Sequence, residues 1–206
     1  MIELIESWSD FNGEFDNLLE SYTCFDFVRT RCANSILNHG GVQENVRSEF
    51  TLNNLITRIC KHFIDCVVLY MKCSVFEDMQ DVIAYIAYVS PELSNIYNRR
   101  EYKNGIIYID NNILELKSAY PDAYFYLAGD FNARTSNMFI PDDNINNIFQ
   151  TDVDYNNDNF DMHRNNRDGE RSYALGQSLI ELCCTYGVHI LNGRDYMMIL
   201  LVMLHV

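Results

Sequence analysis

The stretch YFYLAGDFNA, which runs from Tyr124 to Ala133, carries the strongest fold signal in this sequence. Residues 123–128 form a compact apolar run that ends at Gly129, and such a run predicts a buried β-strand. Polar residues follow the strand at once, as Asp130 and Asn132. In layered α/β folds, ligands collect at the carboxyl ends of strands. The stretch therefore predicts a strand that delivers two polar side chains to a binding site.

Asp130 and Asn132 are two residues apart, which in an extended segment places both side chains on the same side. We expect one of them to bind a proton or a metal ion and the other to orient a phosphate oxygen or a water molecule. Gly129 would allow close approach of the backbone. The same residues are also typical of a turn in which Asp and Asn bond backbone groups. Residues 129–133 alone leave both the binding-site and the turn interpretation open.

Composition limits the class of protein. The chain has 206 residues, which favours one domain or most of a larger one, and 48% of them are apolar. Its formal net charge of -14 argues against non-specific binding to nucleic acid through a basic surface, because such binding needs Lys and Arg to neutralise phosphates. Carboxylates that hold a divalent cation would contribute to that negative charge.

The seven cysteines include no CxxC pair, so they predict a reduced, intracellular protein of the nucleus or cytoplasm. We expect no membrane association, because the start of the chain does not resemble a signal peptide. The apolar stretch 197–206 is far shorter than the ~20 residues of a spanning helix. A core strand or a divergent tail is the expected structure there.

Short apolar or alternating segments predict strands, and a spacing of three and four predicts helices. The expected strands are 2–5, 22–30, one through Val42 and Val46, 52–60, 63–71, 82–89, 123–128 and 188–191. The expected helices are 102–116 and 173–186, the second ended by Gly187. A long surface loop is expected at 151–171. Strands flanked by helices indicate a layered α/β domain.

The segment LAGDFNART, at 127–135, resembles the GDFN motif of the endonuclease/exonuclease/phosphatase superfamily, which has the deoxyribonuclease-I-like fold. Two other segments resemble that family in the right order. LIESW, which contains Glu6, resembles its strand ending in a metal-binding Glu, and IAYVSP, which contains Tyr88, resembles its strand ending in a Tyr near the scissile phosphate. The contexts GGV at 40–42 and LNGR at 191–194 resemble the endonuclease domains of non-LTR (LINE-type) retrotransposons.

The resemblance covers residues 3–194 and implies a four-layer α/β sandwich of two packed mixed sheets flanked by helices. It implies an enzyme that nicks DNA with Mg²⁺, or Mn²⁺ in its place. Glu6 would be the metal ligand. Asp130 would orient or deprotonate the attacking water or serve the leaving oxygen, Asn132 would fix a phosphate oxygen or support the site, and Tyr88 would donate to the phosphate. As ordinary structural residues, Glu6 would be a solvated acid and Tyr88 a core aromatic.

The sequence also departs from the family pattern at both ends. The family begins one strand earlier, with an Asn that helps to bind metal, and it ends with strands that carry a catalytic Asp and His. From these departures we expect a fold truncated at both ends, with an incomplete domain at 1–194, a divergent apolar tail at 195–206 and impaired activity. Two alternatives remain open: a non-catalytic relic or interaction module, and a phosphatase of the same superfamily. Whether the chain is an enzyme is therefore undecided by its sequence.

Overall fold

The computed structural model describes residues 2–5, 21–28, 41–75, 80–94, 96–97, 102, 104–135, 174–187 and 203–204. The strands are β1 (Ile2–Ile5), β2 (Tyr22–Val28), β3 (Gly41–Arg47), β4 (Ile56–Ile59), β5 (Cys66–Met71), β6 (Val82–Tyr88), β7 (Tyr124–Asp130) and β8 (Met203–Leu204). The helices are α1 (Ser48–Leu52), α2 (Gly105–Ala119) and α3 (Ala174–Tyr186), with a short 3-10 turn at Cys73–Val75. No helix in these ranges is long and apolar enough to cross a bilayer.

The strands form two sheets. The first has the order β1-β3-β2 and is antiparallel throughout. The second has the order β4-β5-β6-β7-β8 and is mixed, because β6 and β7 are parallel while its other pairs are antiparallel. Parallel neighbours need a crossover connection, and α2 lies in the segment that joins β6 to β7. The prediction of an α/β sandwich with two sheets is confirmed.

The two sheets pack face to face through alternate residues of their strands. Val42 and Val46 of β3 belong to the same apolar cluster as Val67 of β5 and Ile86 of β6. Strand alternation places Glu44 on this face between the two valines, and its side chain is fully buried. On the opposite face of β3, Gln43 and Asn45 are also buried. Both faces of β3 are therefore buried at these positions.

Helices α2 and α3 cover the other face of the five-stranded sheet. The stripe of apolar residues on α2 that the sequence predicts is buried against this sheet, and its members are Ile106, Ile109, Ile113 and Leu116. Leu175 and Leu182 of α3 join the same cluster. One polar contact sits within it, where Asn112 Nδ2 donates to Tyr85 Oη at 2.7 Å. Both helix predictions are confirmed, and Gly187 follows α3 with φ 66, as expected of a helix stop.

Several details differ from the expectations or lie beyond the described residues. The predicted strand 63–71 starts too early, because β5 begins at Cys66. The predicted strand 52–60 is wrong at its start: Leu52 ends α1, and Asn54 turns the chain with φ 53 before β4 begins. Strand β7 continues through Gly129 to Asp130 instead of ending at the glycine. The expected strand 188–191 and loop 151–171 lie outside the described residues. Within the apolar tail, β8 pairs antiparallel with Phe125 and Tyr126 of β7.

Candidate functional site

Three neighbouring strands of the larger sheet have ends that lie together at one end of the sandwich. Tyr88, the last residue of β6, is paired with Asp130, the last residue of β7. On the other side, Tyr88 N donates to the carbonyl oxygen of Asp65, which directly precedes β5, at 2.9 Å. Val89 N then donates to Asp130 O at 2.8 Å. The backbone therefore brings Tyr88 and Asp130, both predicted site residues, side by side.

The smaller sheet reaches the same end of the sandwich. The short helix α1 joins the end of β3 to the start of β4, so these two strand ends lie together at the far end. Strand β3 starts at Gly41 and ends at the far end of the sandwich, so its first residues lie at the end that carries Tyr88 and Asp130. Ile5, the last residue of β1, is paired with Val42 and so lies there too. Glu6, the predicted metal ligand, follows Ile5 in sequence but falls outside the described residues.

Asp130 and Asn132 are brought together by a tight turn. Asn132 has φ 44, so the expectation of an extended segment is wrong, although the two side chains do lie together. Asn132 N donates to Asp130 Oδ1 at 2.9 Å. The amide nitrogen Nδ2 of Asn132 also donates to Asp130 Oδ2 at 3.1 Å. The Asp130 carboxylate is exposed and is held by its neighbour two residues on.

Asn132 also connects the ends of the two strands. Its Nδ2 donates to the carbonyl oxygen of Val89, just beyond β6, at 2.9 Å. An amide NH₂ group has two hydrogens, and these two acceptors account for both. Asn132 therefore fits the supporting role among the predicted ones better than direct donation to a phosphate oxygen.

Gly129 explains how β7 comes so near to β6. Its φ is 128, a conformation that side chains other than glycine's rarely adopt, and a Cβ there would lie 1.9 Å from Ala87 O. Phe131, next to the exposed Asp130, is buried among the residues under α2 and α3. The alternation of glycine, exposed acid and buried aromatic fixes the direction in which the Asp130 carboxylate points.

Tyr88 is 8% exposed and its ring belongs to the apolar cluster between the sheets. Strand alternation puts it on the same face as Asp130, the face turned towards the smaller sheet. Its ring is thus a core aromatic, as the ordinary structural interpretation expects. Its predicted donation to a phosphate stays a prediction.

Helix α3 holds the loops after β6 and β7 in place. Its N-terminal amide at Leu175 donates to Glu92 Oε1 at 3.1 Å, which anchors the loop after β6. Gly176 lies against the loop after β7, where a Cβ would sit 1.9 Å from Arg134 O. A carboxylate at a helix N-terminus is electrostatically favourable. Glu92 and Gly176 were not predicted, because nothing in the sequence signals a contact between segments so far apart.

Helix α2 begins at the same end. Asn104 Oδ1 accepts from Ile106 N at 2.8 Å, which caps the helix, and Asn104 Nδ2 donates to Ser178 Oγ of α3 at 3.0 Å. The predicted helix 102–116 begins three residues too early and does not predict this cap. The signal was available, since an Asn directly before an apolar periodic segment is a preferred N-cap.

A group of tyrosines surrounds Asp65 beside the site. Tyr102 Oη donates to Asp65 Oδ2 at 3.2 Å, and the Tyr102 ring stacks on Tyr108 with centroids 4.5 Å apart. Tyr97 Oη donates to Ser90 O at 2.6 Å. These residues line a small cavity of ≈ 10 Å³, which is room for about one water molecule. No periodic pattern in the sequence predicts this group.

At the carboxyl end of β7, Asp130 presents an exposed carboxylate to a metal ion. Within the described ranges, no group of three or more His, Cys, Asp or Glu residues is placed to hold a metal. Mg²⁺ keeps several water ligands and is held in proteins by about one or two carboxylates. The metal ligand expected from the sequence is Glu6, and the Asp130 carboxylate is an oxygen donor of the same chemical type.

No protein-family model, curated protein or solved structure matches this chain. The likeness to the endonuclease/exonuclease/phosphatase superfamily therefore rests on the sequence motifs alone.

Proposed function

We propose that this chain is a Mg²⁺-dependent phosphodiester hydrolase that nicks DNA, a member of the deoxyribonuclease-I-like superfamily of retrotransposon origin. One observation carries the proposal: the exposed Asp130 carboxylate is fixed by a turn beside Tyr88, at the carboxyl ends of two adjacent parallel strands. Ligand sites of open α/β sheets lie at such strand ends. The GDFN motif in the sequence supplies the link to phosphodiester chemistry.

In the proposed reaction, Asp130 orients the attacking water and takes its proton. Asn132 is a positioning residue, because its amide ties both the Asp130 carboxylate and the end of β6 in place. Tyr88 would donate to the phosphate from the neighbouring strand. A fixed carboxylate needs little reorganisation during the reaction, which is the main source of electrostatic catalysis.

Glu6 would hold the Mg²⁺ ion at the end of the sandwich where Asp130 lies. When bound, the ion supplies positive charge that stabilises the phosphate during in-line attack. Oxygen ligands suit Mg²⁺ better than nitrogen or sulfur ligands do. The strong negative charge of the chain is compatible with this arrangement, because the ion reverses the local sign.

The test is nicking of supercoiled plasmid by the whole chain in Mg²⁺ and in EDTA. Asp130→Asn should lower the nicking rate by about 10²-fold or more, because it removes a general base while keeping the size of the side chain. Asp122→Asn is the matched control, since Asp122 is an exposed acid in the turn before β7, at the far end of that strand. Its rate should equal that of the unchanged protein.

Two outcomes would contradict the proposal: nicking that persists in EDTA, or equal rates for Asp130→Asn and the unchanged protein. A second measurement, Mg²⁺ binding by calorimetry, separates the enzyme from a non-catalytic relic. The enzyme requires binding that Glu6→Gln weakens, and a relic requires no specific binding.

The net charge of -14 favours one other candidate, a phosphatase that acts on a small phosphate ester. A small substrate needs no basic surface, whereas a DNA duplex carries a dense row of phosphates. The same variants assayed on a phosphomonoester decide between the two. Asp130-dependent release of phosphate without plasmid nicking would favour the phosphatase.

A further inference from the structure

Helix α2 carries apolar residues on its outer face as well as on the face that packs against the sheet. Ile107 is 54% exposed and Leu114 is 56% exposed, and they are two of the four large apolar side chains that stand exposed in the described part of the chain. They are seven residues apart, so they lie one above the other, two turns along the helix. The outer face of such a helix normally presents charged and polar residues to water.

Uncharged residues complete this face of the helix. Asn111 is exposed four residues after Ile107, and Ser118 is exposed four residues after Leu114. The four residues have the spacing of the a and d positions of a heptad, with the asparagine at an a position. The charged residues of α2 flank this row and do not interrupt it. We call the row of Ile107, Asn111, Leu114 and Ser118 the outer stripe of α2.

The flanking charges decide how two copies of this helix can pair. Successive residues turn by about 100° around the axis, so Asp110 and Lys117 lie on one side of the outer stripe and Glu115 lies on the other. In a parallel pair, the g position of one helix lies beside the e position of the other, and each Asp110 faces Glu115 of the other copy. In an antiparallel pair, each Asp110 faces Lys117 of the other copy. The charges therefore favour the antiparallel pair, which has two attractive contacts instead of two repulsive ones.

The antiparallel arrangement also brings the apolar residues of the outer stripe together. A two-fold axis that crosses α2 midway between Asn111 and Leu114 sets the two Leu114 side chains against each other, since each residue rises about 1.5 Å along the helix. Ile107 of each copy then lies beside Leu114 of the other copy. One helix thus supplies both halves of the contact, which is the property of an isologous two-fold interface.

Both attractive residues keep capacity for a second contact. Asp110 accepts the Tyr186 hydroxyl on Oδ1, and its Oδ2 is a further acceptor. The Lys117 ammonium lies 5.0 Å from the centre of the Tyr186 ring, and an ammonium group has three donors to share between a ring face and a carboxylate. These contacts with α3 hold the two side chains beside the outer stripe.

We propose that a second copy of this chain docks antiparallel on the outer stripe of α2 and forms a two-fold dimer. The partner is another copy because the charges that flank the outer stripe complement themselves. A foreign partner of a chain with net charge -14 is attracted through basic residues, and the outer stripe offers them no carboxylate. Because α2 begins at the end of the sandwich that carries Asp130, the antiparallel dimer puts the two Asp130 sites at opposite ends. The inference is independent of the proposed function.

Sedimentation equilibrium of the whole chain at physiological ionic strength measures the dimer. A contact between two single helices is smaller than a standard interface, so we expect a dissociation constant of roughly 10–100 µM. Leu114→Glu should leave only monomer, because it places two carboxylates at the two-fold axis. Leu52→Glu is the matched control, since Leu52 is 80% exposed and ends α1 away from α2. It should leave the dissociation constant unchanged.

A charge exchange tests the orientation of the two helices. Lys117→Glu and Asp110→Lys each turn both attractive contacts into repulsive ones, so each variant alone should dimerise about tenfold more weakly. In an equimolar mixture the two variants attract each other, and the mixed dimer should regain the affinity of the unchanged protein. Melting temperatures measured on both variants separate a lost interface from a lost fold.

Three results would overturn the inference. The first is an unchanged protein that sediments as a monomer at roughly 0.5 mM, well above the expected dissociation constant. The second is a dimer that Leu114→Glu leaves intact. The third is a mixture of the two folded charge variants that binds no more tightly than either variant alone.

Discussion

Replacing Gly176 by alanine tests whether α3 is pressed against the loop that follows Asp130. The added Cβ would lie 1.9 Å from Arg134 O and 2.6 Å from the carbonyl carbon of the same residue. Carbon and carbonyl oxygen atoms approach each other to about 3.3 Å at closest. The helix and the loop would therefore have to separate by about 1.4 Å, and the obstacle is backbone rather than a side chain that could rotate away.

Two effects of opposite sign then set the change in free energy of unfolding. Overpacking of this kind costs about 1–3 kcal/mol. The higher helix propensity of alanine returns about 1 kcal/mol. Because α3 also donates its Leu175 amide to Glu92, a displaced helix weakens that contact too. We expect a net loss of about 1–2 kcal/mol.

The measurement is urea unfolding followed by circular dichroism, together with the plasmid-nicking rate of the folded protein. Gln177→Ala is the control, since Gln177 is the next residue along and is exposed. It should change the stability by less than about 0.5 kcal/mol. Helix propensity alone predicts that Gly176→Ala is the more stable protein. A variant as stable as the parent, or more so, would therefore refute the close approach.

Three further predictions concern titratable groups. Burial and the hydrogen bond to Asp110 raise the pKa of Tyr186. Its contribution to stability is therefore complete below about pH 10 and is lost as pH rises through the pKa of the folded state. Tyr186→Phe should reduce the loss of stability to urea at alkaline pH. The hydrogen bond from Tyr70 is the main cause that lowers the pKa of Asp81. The contribution of Asp81 to stability is therefore present above about pH 4 and is lost in more acid solution. Asp81→Asn should reduce the loss of urea stability at acid pH, and an unchanged dependence of stability on pH would contradict the hydrogen bond. Burial raises the pKa of the Cys66 thiol to about 12, so a thiol reagent at neutral pH should label Cys66 only after unfolding, as mass spectrometry of labelled peptides would show.

The strands and helices were predictable where burial imposes a period on the sequence. The spacing of Ile106, Ile109, Ile113 and Leu116 follows from one helix face lying on a sheet, and the structure buries that face. Strand β6 was predictable for a related reason, since it is covered on both faces and is apolar throughout. Such patterns are local, so one sequence is enough to see them.

The candidate site was only partly predictable, because its geometry depends on single backbone conformations and on distant contacts. Asn132 adopts a left-handed conformation that a propensity for extended structure does not indicate. Glu92 and Leu175 are 83 positions apart, and no local pattern links them. The same limit applies to Asn54. Its turn follows the short helix α1, at a place where the sequence predicts the start of a strand.

The double hydrogen bond of the Asn132 amide has a consequence for how this end of the molecule opens. One NH₂ group joins the end of β6 to the Asp130 carboxylate, and the start of α3 rests on the loops that follow both strands. Movement of either loop would break a contact with the other loop or with α3. We therefore expect the two loops to open together in local unfolding. The conformational entropy of ordering these loops is spent during folding, so a substrate of the proposed enzyme would meet a preorganised surface.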